Sequence, residues 1–215
     1  MNVQFTLTGE MPLLMHQDDV EASDVLDAWR KAPENKNSSK AGDDRSPAWT
    51  WQTYCYSDGE HLTIPSQNLM VCLRQAGAQM ILKRQKTFKE ISQSGLLIPT
   101  EYLRFEVGGK QIATSSLEAV RERDFSTQAD AVRGLGFRLF VKRARIGQAK
   151  HIRVRARFDQ WSVTGQVQVL VSEITFENLE TMFGLAGRVG LGDWRPGCKT
   201  PGPYGMFSAK LRKSA

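Results

Sequence analysis

A chain of 215 residues, 40% hydrophobic and 24% charged, falls in the ordinary range for soluble globular proteins and can bury a sizeable core. No apolar run approaches the ~20 residues of a membrane span, the start MNVQFTLTGE lacks the basic and apolar regions of a signal peptide, and Cys55, Cys72 and Cys198 are odd in number, scattered and without CxxC spacing, which argues against a disulfide framework. The net charge of +6 is uneven: residues 1–60 hold 11 Asp/Glu against 5 Lys/Arg, the other 155 hold 12 against 24, and this asymmetry points to an anionic partner for the C-terminal part.

Residues 2–8 alternate, with Val3, Phe5 and Leu7 against polar neighbours, and predict a half-buried strand. Residues 16–31 are acidic with a weak helical pattern through Val25, Leu26 and Trp29. Residues 32–48, APENKNSSKAGDDRSPA, are polar and rich in turn formers, and are expected to be a mobile insertion. Trp49–Tyr56 is aromatic and β-prone. A helix is predicted from Ser66, an N-cap candidate, with Leu69, Leu73, Ala76 and Met80 facing the core. A basic loop at 83–90 follows.

EYLRFEV and KQIAT flank Gly108-Gly109 and predict a hairpin. Residues 114–132 show no strong periodicity. A second strand pair, 137–146 with 151–158, surrounds Gly147. An alternating run lies at 163–171, then a helix from Thr175 carrying Phe176, Leu179, Phe183 and Ala186 on one face. A last strand is centred on Phe207, Ala209 and Leu211. The fold class is therefore α+β: a ferredoxin-like (RRM-like) βαββαβ core with insertions and a β-hairpin extension, as one domain over 1–215.

Two stretches carry the functional signal. From Arg133 to Arg157 there are nine Lys/Arg and no acid. Within it, Arg153, Arg155 and Arg157 alternate with Val154, Ala156 and Phe158, so a strand places the three arginines on one face. Adjacent like charges repel; phosphates relieve the repulsion and match guanidinium forks. Arg138, Lys142, Arg143, Arg145 and Lys150 join this binding set. Phe137 and Phe158 are expected in the core, whereas Trp161 is open between core packing and base stacking. The second stretch, GLAGRVGLGDWRPGCKTPGPYGMF, follows a helix with closely spaced glycines. Backbone N–H groups at Gly190 and Gly192, with Arg188 and Arg195, suit an anion, unless the loop only packs tightly. It has no GK[ST] and is no dinucleotide fingerprint.

The strand NVQFTLTG, the helix IPSQNLMVCLRQAG, and TFENLETMFGLAGRVGLGDWRP followed by YGMFSAKL together resemble the RAMP superfamily, whose members form the backbone of CRISPR effector complexes. MPLLMH and GLGDWRP are also similar to phage and prophage proteins. The resemblance implies a palm with a thumb-like hairpin that binds single-stranded nucleic acid, copies stacked in a filament along the strand, and other effector-complex subunits as partners.

Some members of that family cut RNA with an acid after the first strand. Asp18, Asp19, Glu21 and Asp24 lie there, but no spacing singles one out, nor does any motif single out His61. The expectation is a non-catalytic, cytoplasmic binder of single-stranded RNA or DNA with no catalytic residue, metal, cofactor or membrane partner. The alternatives are a metal-dependent endoribonuclease of the same fold, and a phage structural or assembly protein with an acidic partner.

Overall fold

The computed structural model describes residues 1–84 and 86–214; Gln85, in the basic loop, lies outside them. In chain order the elements are β1 (Asn2–Gly9), β2 (Leu13–Leu14), α1 (Val20–Lys31), β3 (Thr63–Pro65), α2 (Ser66–Gly77), β4 (Ile81–Lys83), β5 (Lys86–Thr87), α3 (Lys89–Gly95), β6 (Leu96–Leu97), β7 (Tyr102–Val107), α4 (Thr114–Glu118), α5 (Phe125–Gly134), β8 (Arg138–Ile146), β9 (Ala149–Phe158), β10 (Trp161–Val169), α6 (Phe176–Val189) and β11 (Phe207–Lys213). Short 3₁₀ segments occupy Pro33–Asn35 and Ala48–Tyr54. No helix among the described residues is long and apolar enough to cross a membrane. The chain forms two compact units, one of residues 1–14, 63–111 and 159–215, the other of 15–62 and 112–158.

The first unit is the ferredoxin-like core. Its sheet runs β11-β1-β10-β7-β3. Dropping the short β3 leaves the four strands of a βαββαβ unit, with α2 and α6 as its helices. Period two in β1 buries Val3, Phe5 and Leu7 on one face. The 3.6-residue period buries Leu69, Leu73 and Ala76 of α2, and Leu179, Met182, Phe183 and Ala186 of α6. The Phe5 and Phe183 rings meet at 5.4 Å. Thr175 starts α6 with a capping box, in which its hydroxyl accepts from the Asn178 N–H while the Asn178 side chain accepts from the Thr175 N–H. Ser66 is the first residue of α2 instead of its cap, because Pro65 takes the cap position and contributes no side-chain hydrogen bond.

Three local expectations change. Gly108 and Gly109 make a tight turn with φ of 56° and 80°, but Lys110 forms only an isolated bridge to Val107, and no strand covers KQIAT. The partners of β7 are β10 and β3. Trp49–Tyr56 is mostly 3₁₀, with i→i+3 bonds from the Thr50 N–H to Pro47 O at 3.2 Å and from the Cys55 N–H to Gln52 O at 3.0 Å, and the Trp51 indole N–H donates to Gln128 Oε1 at 2.7 Å. Residues 114–132 contain α4 and α5, whose buried side chains are too few to leave a long period.

The second unit packs Trp51, Phe137 and Phe158, with ring centroids 5.9 and 4.9 Å apart, so both phenylalanines are core as expected. Segment 32–48 is loop apart from the 3₁₀ turn Pro33–Asn35 and Ala48, which opens the second 3₁₀ segment, and it buries Asp43, Asp44 and Ser46. The thiols of Cys55 and Cys72 are free and buried, and burial pushes both up to about 12.

Candidate nucleic-acid interface

The basic stretch folds as the β8–β9 hairpin of the second unit. Ile146 pairs with Ala149 across a two-residue turn in which Gly147 has φ of 59°. Partners directly opposite share a face. One face therefore carries Arg138, Phe140 and Lys142 with Arg157, Arg155 and Arg153. The other carries Leu139, Val141, Arg143 and Arg145 with Ala156, Val154, Ile152 and Lys150. The three arginines of β9 do share one face.

That face is not open. Segment 42–44 lies along the outer edge of β9: the Ile152 N–H donates to Gly42 O at 2.8 Å, and the Asp44 N–H donates to Ile152 O at 3.0 Å. This brings the Asp44 carboxylate, 1% exposed, onto the arginines. Arg153 and Arg155 donate to it at 3.0 and 3.1 Å, and so does the Val154 N–H at 3.1 Å. Arg155 is 4% exposed, and its guanidinium lies 4.3 Å over the Tyr54 ring. Burial, then the Asp44 charge, raises the Tyr54 hydroxyl above its ordinary range. The expectation of three solvent-facing arginines without an acid is corrected here, since Asp44 supplies one from a distant part of the chain. Arg155 is a core cation, and Arg153 and Arg157 are half-buried.

Charge remains at the far end of the hairpin. Arg143, Arg145 and Lys150 are exposed and, among the described residues, form no salt bridge; Arg145 Nε donates to Gly147 O at 3.2 Å. Arg138 and Lys142 are exposed as well. Three cross-strand pairs, Arg138 with Arg157, Lys142 with Arg153 and Arg145 with Lys150, set like charges directly opposite. Like charges directly opposite cost a few tenths of a kcal/mol to ~1 kcal/mol where no anion stands between them; Asp44 supplies one to Arg153.

The remaining sequence-selected residues lie in the first unit. Trp161 is core: it is 3% exposed, its indole N–H donates to Met11 O at 2.9 Å, and its ring meets Phe105 and Phe207. It offers no face to a base. In the glycine-rich stretch the N–H groups of Gly190, Leu191, Asp193, Gly197 and Gly205 all donate to backbone carbonyls, so these five are taken up by packing within the unit. Gly190 is buried and Gly192 half-buried, with Leu14 O only 2.3 Å from where a Gly192 Cβ would sit. Arg195 is half-buried and donates to Gln75 Oε1 at 3.0 Å; Arg188 is exposed on the last turn of α6.

Reading the sequence missed Asp44. Its only signal was an Asp-Asp pair inside a polar loop. Asp19, one of the acids after β1, caps α1 by accepting from the Ala22 N–H at 3.1 Å. No group of three or more His, Cys, Asp or Glu among the described residues is placed to hold a metal ion.

No protein-family model matches the chain, and no curated protein sequence matches it. Among solved structures it is similar to Cmr6 from Pyrococcus furiosus, with a TM-score of 0.39 and 10% identity over 97% of each chain, a level that bears on neither activity nor partner.

Proposed function

We propose that the chain is a non-catalytic binder of single-stranded nucleic acid, and that the β8–β9 hairpin lies against the phosphate backbone. The observation that carries this reading is the exposed cluster of Arg143, Arg145 and Lys150, with Arg145 directly opposite Lys150, on a hairpin whose own residues include no acid. Asp44 offsets the two arginines near the base. Arg143, Arg145 and Lys150 are left for an anion, and a polyphosphate is the repeating anion that fits a row of them. The resemblance of the core segments to the RAMP superfamily points the same way, and adds copies assembled along the strand.

The test is a salt titration of binding to labelled single-stranded RNA and DNA. Each phosphate contact contributes ~0.7 to the log–log slope for single strands. A variant with Arg143→Ser, Arg145→Ser and Lys150→Ser should bind at least tenfold more weakly, with a slope reduced by about 2. An unaltered affinity and slope in the folded variant would reject the hairpin as the interface. In the same samples, stoichiometry should grow with strand length, whereas a fixed one-to-one complex rules out assembly along the strand. With Mg²⁺ or Mn²⁺ added, the strand should stay full length; cleavage abolished by Asp18→Ala or Asp19→Ala would show a nuclease instead.

A further inference from the structure

A cleft of about 790 Å³ opens in the second unit, a size that suits a small-molecule site. Its lining includes three aromatic side chains, Trp29 of α1, Trp49 of the 3₁₀ segment, and Phe125 at the start of α5. The Arg121 guanidinium lies 4.3 Å over the Trp49 ring. Aromatic rings and guanidinium planes are the surfaces on which unpaired bases stack.

The rest of the lining is largely polar. Asp43 is held bidentately by Arg45, at 2.9 and 2.7 Å, and this pair keeps the carboxyl below its ordinary range. Asp124 is occupied in capping α5, where it accepts from the Ser126 and Thr127 N–H groups at 3.0 Å, leaving Glu122 as the remaining acid. Lys40 and Arg123 also line the cleft and, among the described residues, enter no salt bridge.

The backbone beneath Arg121 and Arg123 is held in place. Gln128, fully buried, accepts from the Trp51 indole and donates to Arg121 O at 2.9 Å and to Arg123 O at 2.8 Å, which fixes the backbone that carries both arginines. Preorganisation of this kind lowers the cost of binding. The cleft is also tied to the hairpin. Asp43 turns onto Arg45 in the cleft, and the next residue, Asp44, turns onto Arg153 and Arg155 of β9.

We infer that this cleft takes one unpaired nucleotide, with the base against Trp29 and Phe125 and the phosphate on Lys40 and Arg123. The recognised chemistry is a nucleoside monophosphate. That it arrives as part of a strand rests on the function proposed above; a free nucleotide is the other source.

Two measurements separate these. In the first, a 30-mer bearing bases is compared with an abasic phosphodiester strand of equal length. Stacking predicts about tenfold tighter binding of the base-bearing strand. Trp29→Ala with Phe125→Ala should abolish that preference without changing affinity for the abasic strand, and the hairpin variant should weaken both strands alike. In the second, adenosine and uridine 5′-monophosphates are titrated while tryptophan fluorescence is read. Saturable quenching should be lost in Lys40→Ser/Arg123→Ser, two changes at exposed lining residues that spare the core.

Mononucleotide binding without strand binding would support the cleft as a free-nucleotide site and count against the strand-binding function alone. Equal affinity for the two strands, together with no saturable mononucleotide signal, would overturn the cleft and leave the hairpin reading intact.

Discussion

Asp44→Ala should lower the unfolding free energy by about 3–5 kcal/mol, read as a shift of the urea midpoint at unchanged m-value. The carboxylate is almost wholly buried, and three donors converge on it: two guanidinium groups and the Val154 N–H. Removing it leaves Arg155 buried without its anion, under the Tyr54 ring, where it cannot reach water without dismantling the packing. The Val154 N–H also loses its acceptor.

Asp44→Asn keeps oxygen and shape but not charge, so its loss should be smaller. Because the pair is buried, salt should change these differences little. Pairing Asp44→Asn with Arg155→Met removes both charges and should recover part of the stability, since replacing a buried ion pair by apolar groups is often near neutral. A wild-type midpoint for Asp44→Ala would mean that Arg155 finds water or another anion, and the core-cation assignment would fall.

Gly205→Ala should cost about 2–5 kcal/mol, by the same unfolding measurement. Gly205 has φ of 71°, in the left-handed region that side chains with a Cβ avoid. An added Cβ would stand 1.8 Å from Leu191 O, a backbone atom that cannot swing aside. The same position is tied down on both sides: its N–H donates to Pro12 O at 2.8 Å, and its carbonyl accepts from the Leu191 N–H at 2.9 Å. The glycine-rich stretch closes the core by backbone meeting backbone. Gly59→Ala is the control, because Gly59 has φ of 99° but nothing within 4 Å of an added Cβ. Its smaller loss would report the conformational cost alone, and equal losses would show that crowding at Gly205 is relieved elsewhere.

Several elements were legible because burial on one side writes a period into the sequence. In β1 the alternation of Val3, Phe5 and Leu7 marks the face toward the helices, and in α6 Leu179, Phe183 and Ala186 mark the face toward the sheet. The β8–β9 hairpin was legible from its glycine and its flanking β-prone runs. By contrast, α5 was hidden. Its buried residues are Gln128 and Val132, and a buried glutamine reads as surface until the Trp51 indole and the Arg121 and Arg123 carbonyls around it are seen.

By itself the sequence determined the ferredoxin-like order of elements, the basic character of the hairpin and the shared face of Arg153, Arg155 and Arg157, because each follows from local spacing. Which of those charges reaches solvent was decided only by tertiary structure. Electrostatic pairing depends on distance in space. The acid that neutralises Arg155 sits 111 residues away along the chain, and only the folding of segment 42–44 along β9 brings it within 3.1 Å. The same holds for the cleft, whose lining gathers Trp29, Trp49 and Phe125 from three separate segments that no periodicity links.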